Sequence, residues 1–543
     1  MQKIFPFLGF LLTLNVASAQ NFKPSPPLDI PLVLSGTFAE LRGNHFHGGI
    51  DIKTQGRSGL KVRAIADGYV SRVAVSPYGY GNAIYIRHPE GYTSVYGHLN
   101  AFYPELERWV EQQLRDRSKN DGNLYPKASD FKIMQGQFIA FSGNTGGSFG
   151  PHLHFEIRDA KTEEPLNPLD FGIEVLDTKK PGLHAVGWVN EALTKSGTSK
   201  FKDTIYASEP VGLDLWTTDK QDLATNSNGV YGITCRIGQE EVFTASYKRI
   251  NFSRTRYINA HINFSRWWKS GRRYTRLYEV ENNPLKVTQT TNHMMPTWRS
   301  KNGFIAVSEG ATVRVDIYVE DQSGNHSNTC MYITGVQGST SPKPPHKWDQ
   351  QTVLKEGPLT VTIPAGALYH DAEFTVRDLG AGRYKAGTGL ALQKHMLLSW
   401  ELDVDQQRGA GWFLWEADRK GKKSAIPGKR EDNVMKFRTR SAGTYALDQD
   451  LRKPQVRLLK TTSYPRSNSQ FRELRVSAAD DKTGVERYSA RIDGEFARID
   501  FDYKKELLKV IVPKELATGK HNLRIVVIDG VGNTTVKEYP IVL

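Results

Sequence analysis

The stretch "GPHLHFEIRD" (150–159) sets His152 and His154 two residues apart in a run of mostly apolar, β-favouring residues, just after the Gly- and Ser-rich "SGNTGGSF" (142–149). In a β-strand, residues i and i+2 point to the same face, so the two imidazoles project together. Far upstream, "HFHGGID" (45–51) holds His47 and Asp51 four apart, separated by two glycines that let the backbone turn tightly and approach a neighbour closely. Imidazoles and a carboxylate form a usual zinc set, and a catalytic zinc keeps three protein ligands and one open position. His47, Asp51 and one member of the 152/154 pair would supply the three. The other member and His98, in "SVYGHL" (94–99), would then be free to carry protons near neutral pH and to stabilise developing charge.

These motifs together make residues 41–171 resemble the lysostaphin-type (LytM-type) zinc metallopeptidases that cut peptidoglycan peptides. The H-x-x-x-D motif of that family is matched by His47-Gly-Gly-Ile-Asp51, its H-x-H by His152-Leu-His154, and its central histidine by His98 in Tyr96-Gly-His98. "DGYVSRV" (67–73), "GYGNAIYIRH" (79–88) and "SGNTGGSFGPHLHFE" (142–156) also resemble its strands and loops. The resemblance implies zinc on His47, Asp51 and His154, with His98 and His152 as catalytic histidines. It further implies a small antiparallel β-sheet with the site in a loop-lined groove. Two departures stand out. Residues 101–132 form an insertion, and position 41 is leucine where some members use a tyrosine before the first metal histidine.

Other polar residues are expected around this set. His45 shares the face of His47 and fits a supporting or loop role. Glu156 shares the face of His154 and would orient it, or is a strand-end charge. Tyr96 and Trp109 are placed beside the substrate groove, with the alternative that the insertion carrying Trp109 is a packed decoration that does not touch substrate. His88, before Pro89 and Glu90, reads as a solvated turn residue.

The elements that must position these residues are mainly strands. "LKVRAIADGYVSRVAVS" and "NAIYIRHPEGYTSVYGHL" run in β-branched and aromatic residues broken by Gly and Pro. The exception is "YPELERWVEQQLRDRSK" (103–119), whose Leu106, Trp109, Val110 and Leu114 recur at helical spacing after Pro104. It predicts a helix within the insertion. Beyond about residue 176 the pattern is β throughout, which predicts several immunoglobulin-like β-sandwiches. "VDIYVEDQSGNHS" (315–327) and "RIVVIDGVGNTT" (524–535) each look like the last hairpin of such a domain. Expected boundaries are a signal peptide at 1–19, the metallopeptidase domain at 20–175, a sandwich at 176–337, a linker and middle β domain at 338–450, and a last sandwich at 451–543.

"INFSRTRYINAHINFSRWWKSGRRYTRLYEV" (250–280) interleaves basic and aromatic residues. It reads as an alternating sandwich sheet with a basic outer face, or as a sugar-binding strip. Asp321 and Asp529, at the hairpin repeats, read as turn formers with calcium ligation as the alternative. Cys235 and Cys330 are compatible with a disulfide or with two buried thiols.

The chain has 543 residues and a net charge of +14. Residues 20–175 carry 16 Lys and Arg against 17 Asp and Glu, so with Lys3 the whole excess falls on 176–543. The apolar "IFPFLGFLLTLNV" followed by "ASA" reads as an export signal, and no later run is long enough to span a membrane. A basic tail on an exported protein suits anionic envelope polymers, and the compartment argues against nucleic acid. No Walker loop, dinucleotide fingerprint or serine elbow is present. The expected protein is a periplasmic zinc endopeptidase acting on peptidoglycan stem peptides, with secretion or surface display as the alternative location. A non-catalytic regulator or an adhesin-like surface protein is the alternative function.

Overall fold

A computed structural model describes residues 22–543. The expected signal peptide at 1–19 lies outside the described residues. Strands dominate every part of the chain, and among the described residues no helix is long and apolar enough to cross a membrane.

The first unit is a nine-stranded sheet whose central path runs Leu34–Gly36, Ile50–Lys53, His152–Asp159, Tyr92–Leu99, Asn82–Arg87, Gly68–Val75 and Gly122–Leu124. The pairs along this path are antiparallel. Strand His152–Asp159 lies in its middle, and alternation sorts its side chains. Leu153, Phe155 and Ile157 are fully buried and pack with Ile50, Ile52 and Tyr96. Fully burying side chains of this size contributes roughly 1.5–3 kcal/mol each before entropy is counted. Register then does the rest. His154 stands opposite Asp51 on one side and opposite Gly97 on the other.

The predicted helix forms over Pro104–Asp116, with Pro104 in its first turn and Leu106, Val110 and Leu114 buried. Its buried acids, Glu107 and Glu111, face the end of the chain rather than the sheet. Arg498 donates to both carboxylate oxygens of Glu111, at 2.9 and 2.5 Å, and Gln470 Nε2 donates to Pro104 O at 3.0 Å.

Residues 182–335 build a seven-stranded and a six-stranded sheet, and residues 455–542 a five- and a four-stranded one. Between them lies an eight-stranded sheet built on two long strands, Arg383–Glu401 and Val434–Gln449. Both hairpins singled out as repeats are present, at Thr312–Gly335 and Lys520–Val542.

One expectation fails here, and one open alternative is decided. The basic aromatic stretch is not a sheet: it forms a 3-10 turn, Phe252–Tyr257, and two short helices, Ile258–His261 and Phe264–Ser270. Asn263 caps the last by accepting from the Arg266 N–H, and Gly271 ends it at φ 75°. The two cysteines are not bridged. Both are buried and free, on strands with a third strand between them. At roughly 4.8 Å per strand, the gap exceeds what a disulfide spans.

Candidate metal centre

The polar face of strand His152–Asp159 carries His152, His154, Glu156 and Arg158 in a row, the period-two arrangement that the motif implied. Asp51 reaches this face from the neighbouring strand. His47 enters from the loop before it, where Gly48 and Gly49 allow an unusually close approach. A Cβ on Gly49 would lie 2.2 Å from Phe155 O, and one on Gly48 would lie 2.9 Å from Glu156 Oε1. The glycines are required for space, not for a left-handed turn.

Three donor atoms converge. His47 Nε2 lies 3.0 Å from Asp51 Oδ1 and 3.1 Å from His154 Nδ1, and His154 Nδ1 lies 2.9 Å from Asp51 Oδ1. All three residues are buried. Four-coordinate zinc with bonds of about 2.0–2.2 Å sets its ligand atoms about 3.3 Å apart, so this triangle is near the required size. The outward atoms are tied down too. His47 Nδ1 donates to Thr37 O at 2.7 Å, which leaves Nε2 as the free donor. The Arg42 guanidinium holds Asp51 Oδ2 at 2.9 Å, leaving Oδ1 to face the histidines. His154 Nε2 donates to Glu156 Oε1 at 2.7 Å. Partners of this kind fix ring orientation and tautomer at metal sites.

Electrostatics follow the packing. Burial alone would raise Asp51, but His47, His152 and His154 hold its carboxyl well below the usual range. Burial would likewise raise Glu156, yet Arg158, His154 and Tyr80 bring it down to about 2. Burial, and then the neighbouring His154 and His152, push His98 down to about 3 and keep it neutral.

His98 and His152 lie beside the triangle. Their rings are 4.7 Å apart, and His152 Nε2 is 3.3 Å from Asp51 Oδ1. His98 Nδ1 donates to Thr145 O at 2.8 Å, and His152 Nδ1 to Gly150 O at 2.9 Å. A carbonyl can only accept, so each ring turns an unprotonated Nε2 outward.

Of the remaining candidates, Glu156 joins the set and the others do not. His45 is exposed and bonds only to its own loop, at Gly43 O. Tyr96 points to the opposite face of the sheet, because it pairs with Phe155 on the apolar face and the alternation breaks at His98, whose φ is 58°. It is fully buried against Phe155, with its hydroxyl taken by the Ile65 N–H. Trp109 packs edge-on against Phe131 at 5.6 Å, on the helix that turns toward Arg498. His88 is buried, not solvated, and bonds to Asp67 O and the Ser94 hydroxyl. Sequence reasoning missed Arg42, Tyr80 and Arg158. Arg158 continues the alternation of His154 and Glu156 and could have been read. Tyr80 donates to Glu156 Oε1 at 2.6 Å, and only its place in the "GYGNAIYIRH" segment hinted at it. Arg42 sits in an irregular loop and left no signal.

Residues 45–113 match the family model of peptidase family M23, and residues 344–450 that of a Zu5-like domain. Among characterised relatives, a DD-carboxypeptidase/endopeptidase Mpg of Neisseria meningitidis serogroup B is 35% identical over 127 residues, 23% of either chain. The murein hydrolase activator NlpD of Salmonella dublin is 36% identical over 122 residues, 22% of this chain and 26% of its own. The chain thus spans about a quarter of the length of these relatives. The catalytic domain of lysostaphin from Staphylococcus simulans is 25% identical, covering 25% of this chain and 87% of its own, with a TM-score of 0.19. With the H-x-x-x-D and H-x-H motifs meeting at one point of the sheet, the N-terminal part of this chain belongs to the lysostaphin-type (LytM-type) peptidases of family M23.

Proposed function

We propose that the chain is an exported zinc metalloendopeptidase that hydrolyses peptide cross-links of peptidoglycan. The observation that carries this reading is the convergence of His47 Nε2, Asp51 Oδ1 and His154 Nδ1 beside two histidines whose Nε2 atoms are free. A zinc ion held by His47, Asp51 and His154 would supply a Lewis acid and lower the pKa of a water to about 7. His152, nearer the ligand carboxylate, takes the proton of the attacking water at Nε2 and returns it to the leaving amine. His98, its Nδ1–H fixed on Thr145 O, presents a second Nε2 that takes up a proton and, once protonated, faces the charge that develops on the scissile oxygen. Glu156 orients the ligand His154 and does not itself touch substrate.

A Gram-negative periplasm and a D-alanyl–diamino acid cross-link fit the export signal and the Neisseria relative best. A relative named as a glycyl-glycine endopeptidase, from Staphylococcus capitis, is 27% identical over 194 residues and marks the other bond chemistry. The relative named as a murein hydrolase activator favours a second reading, in which the domain regulates other wall hydrolases.

Zymography on purified wall, with and without chelator, separates the two. Clearing that needs zinc and is lost in His152→Ala with zinc retained supports the enzyme. No clearing by the zinc-loaded chain, with stimulated clearing by a partner hydrolase, supports the regulator. Mass spectrometry of fragments from defined muropeptides identifies the bond.

A further inference from the structure

Outside the peptidase site, Asp177, Asp219 and Asp321 bring ligand oxygens within 4.8 Å of one another. Each comes from a different element. Asp177 lies in the segment between the 3-10 turn Pro168–Phe171 and strand Gly182–Asn190. Asp219 follows strand Val211–Thr218, and Asp321 sits in the turn between Thr312–Glu320 and His326–Gly335.

A cluster of acids is common, but this one contains an orphan. Asp219 is only 3% exposed, and its Oδ1 is buried with no hydrogen-bond partner. Its main chain is already committed to Asn228, through bonds of 2.9 and 2.8 Å. Asn226 Oδ1, close to that bridge in sequence, is also buried and unpartnered. Nor does a basic side chain neutralise the cluster among the described residues. Lys179, the nearest in sequence to Asp177, lies 3.9 Å from Asp222 and donates to Gln221 O. A buried carboxylate oxygen without a partner is costly, and two more carboxylates beside it add to the cost. Burial, then repulsion from Asp177 and Asp321, pushes Asp219 up to about 7.

The last sandwich carries a related cluster and satisfies most of it internally. "DTKKP" (177–181) is echoed by "DLRKP" (450–454), and Asp450, Asp480 and Asp481 also converge. There Asp480 Oδ2 accepts three backbone N–H groups, from Lys482, Thr483 and Gly484. The Thr483 hydroxyl donates to Asp450 at 2.8 Å, and Arg452 pairs with Asp481 at 2.9 Å. Asp480 Oδ1 is also unpartnered, but Asp480 is only half-buried, whereas Asp219 is closed off from solvent.

We propose that Asp177, Asp219 and Asp321 bind a calcium ion at the joint between the peptidase domain and the sandwich that follows it. The donors are all hard oxygens, with no histidine or thiol, which selects against zinc. Several protein carboxylates from irregular segments suit the flexible coordination of calcium better than magnesium, which demands a near-ideal octahedron and keeps most of its water. The position gives the ion a task. Asn325 Nδ2 donates both to Asp177 O and to Asp321 Oδ2, at 3.2 and 2.9 Å. The adjacent Gln322 bonds to Asp170 at 2.6 Å and to Asn167 at 3.0 Å, on the peptidase side. A cation here ties the connecting segment to the hairpin turn and fixes the joint.

The test uses the full chain, loaded with zinc and freed of calcium by dialysis against resin-treated buffer. Calcium chloride is titrated in by calorimetry, and Tm is followed against calcium concentration. The expected result is one binding event of about 10⁻⁴–10⁻³ M, the range of extracellular modules, with Tm rising as calcium passes that range. Magnesium chloride should give a smaller shift. Asp219→Asn should abolish the response while folding normally, since it removes repulsion, and Asp321→Asn should weaken it. Asp480→Asn should leave it intact. No binding heat at several times that concentration, or an undiminished response in Asp219→Asn, overturns the proposal.

Discussion

His154 Nε2 lies 2.7 Å from Glu156 Oε1, while its Nδ1 lies 2.9 Å from Asp51 Oδ1. The imidazole stands between two carboxylates, one placed to share a metal with it and one placed only to hold it. Glu156 is itself held by the Tyr80 hydroxyl at 2.6 Å and by Arg158 Nε at 2.6 Å. Arg158 in turn lies over the Phe252 ring at 4.5 Å. The turn Phe252–Tyr257 of the following sandwich therefore backs the metal ligand through a continuous chain of contacts.

Glu156→Gln keeps the shape of this chain and removes its charge. Zinc affinity should fall by roughly 10–100-fold, as for other partners of ligating histidines, and the metal-free chain should lose some stability, because Arg158 keeps its charge without a counter-ion. Competition against a chromophoric chelator measures it. An affinity equal to that of the unaltered chain would remove Glu156 from the account. Glu156→Ala should also unfold more readily, by about 3–5 kcal/mol, because it strands the buried Arg158 guanidinium.

His98 is held at φ 58°, in the left-handed region, at the end of its strand. Its N–H is fixed by Tyr80 O at 2.8 Å and its ring by Thr145. Local strain of this kind persists only where surrounding contacts enforce it. His98→Asn suits the backbone, since asparagine tolerates that region, but it lacks the imidazole. Its kcat should drop by about 10²–10⁴-fold while KM, zinc content and Tm stay near those of the unaltered chain. His98→Val should lose stability as well, by about 1–2 kcal/mol. Equal Tm values for the two variants would mean that the backbone there is relaxed.

Gly49 lies where strand Ile50–Lys53 meets strand His152–Asp159, and a Cβ would sit 2.2 Å from Phe155 O and 2.7 Å from Glu156 Cγ. Gly49→Ala must push the two strands apart at the register that sets Asp51 opposite His154. The expected result is loss of bound zinc at a protein concentration where Gly43→Ala, which meets nothing within 4 Å, retains it. Metal analysis after gel filtration gives the readout.

How far the site could be read in advance depended on distance along the chain. Alternation is local, so the shared face of His152, His154 and Glu156 needed only the strand itself. The pairing of His154 with Asp51 joins residues a hundred positions apart. No propensity encodes that pairing, and it came from the family resemblance. The helices at 258–270 were missed although their punctuation was present: Asn263 as the cap and Gly271 as the stop. Interleaved aromatic and basic residues drew the reading toward a strand period instead. Trp109 was aimed at the groove because nothing local reveals what a helix face meets. Its neighbours Glu107 and Glu111 are buried by the chain's last sandwich, whose Arg498 is far away in sequence.

That contact sets the last expectation. Arg498 is fully buried between Glu111 of the peptidase insertion and Asp500 of its own sandwich, and Arg466 pairs with the far side of Asp500 at 2.5 Å. Burial would raise the Asp500 carboxyl, but Arg466 and Arg498 outweigh it and hold it well below its ordinary value. A carboxylate depressed in the folded state stabilises fully above its unfolded pKa of about 4 and loses that contribution as pH falls below it. The grip of the last sandwich on the insertion should therefore weaken below about pH 4. Limited acid proteolysis should release a fragment carrying residues 455–542 earlier than it cuts the nine-stranded sheet. Glu111→Gln strands half of a buried ion pair and should bring the same release at neutral pH, at a cost of about 3–5 kcal/mol. Asp500→Asn should flatten the acid limb of the stability profile. If the limb survives in Asp500→Asn, the titrating group lies elsewhere and Arg498 is not what joins the two ends of the chain.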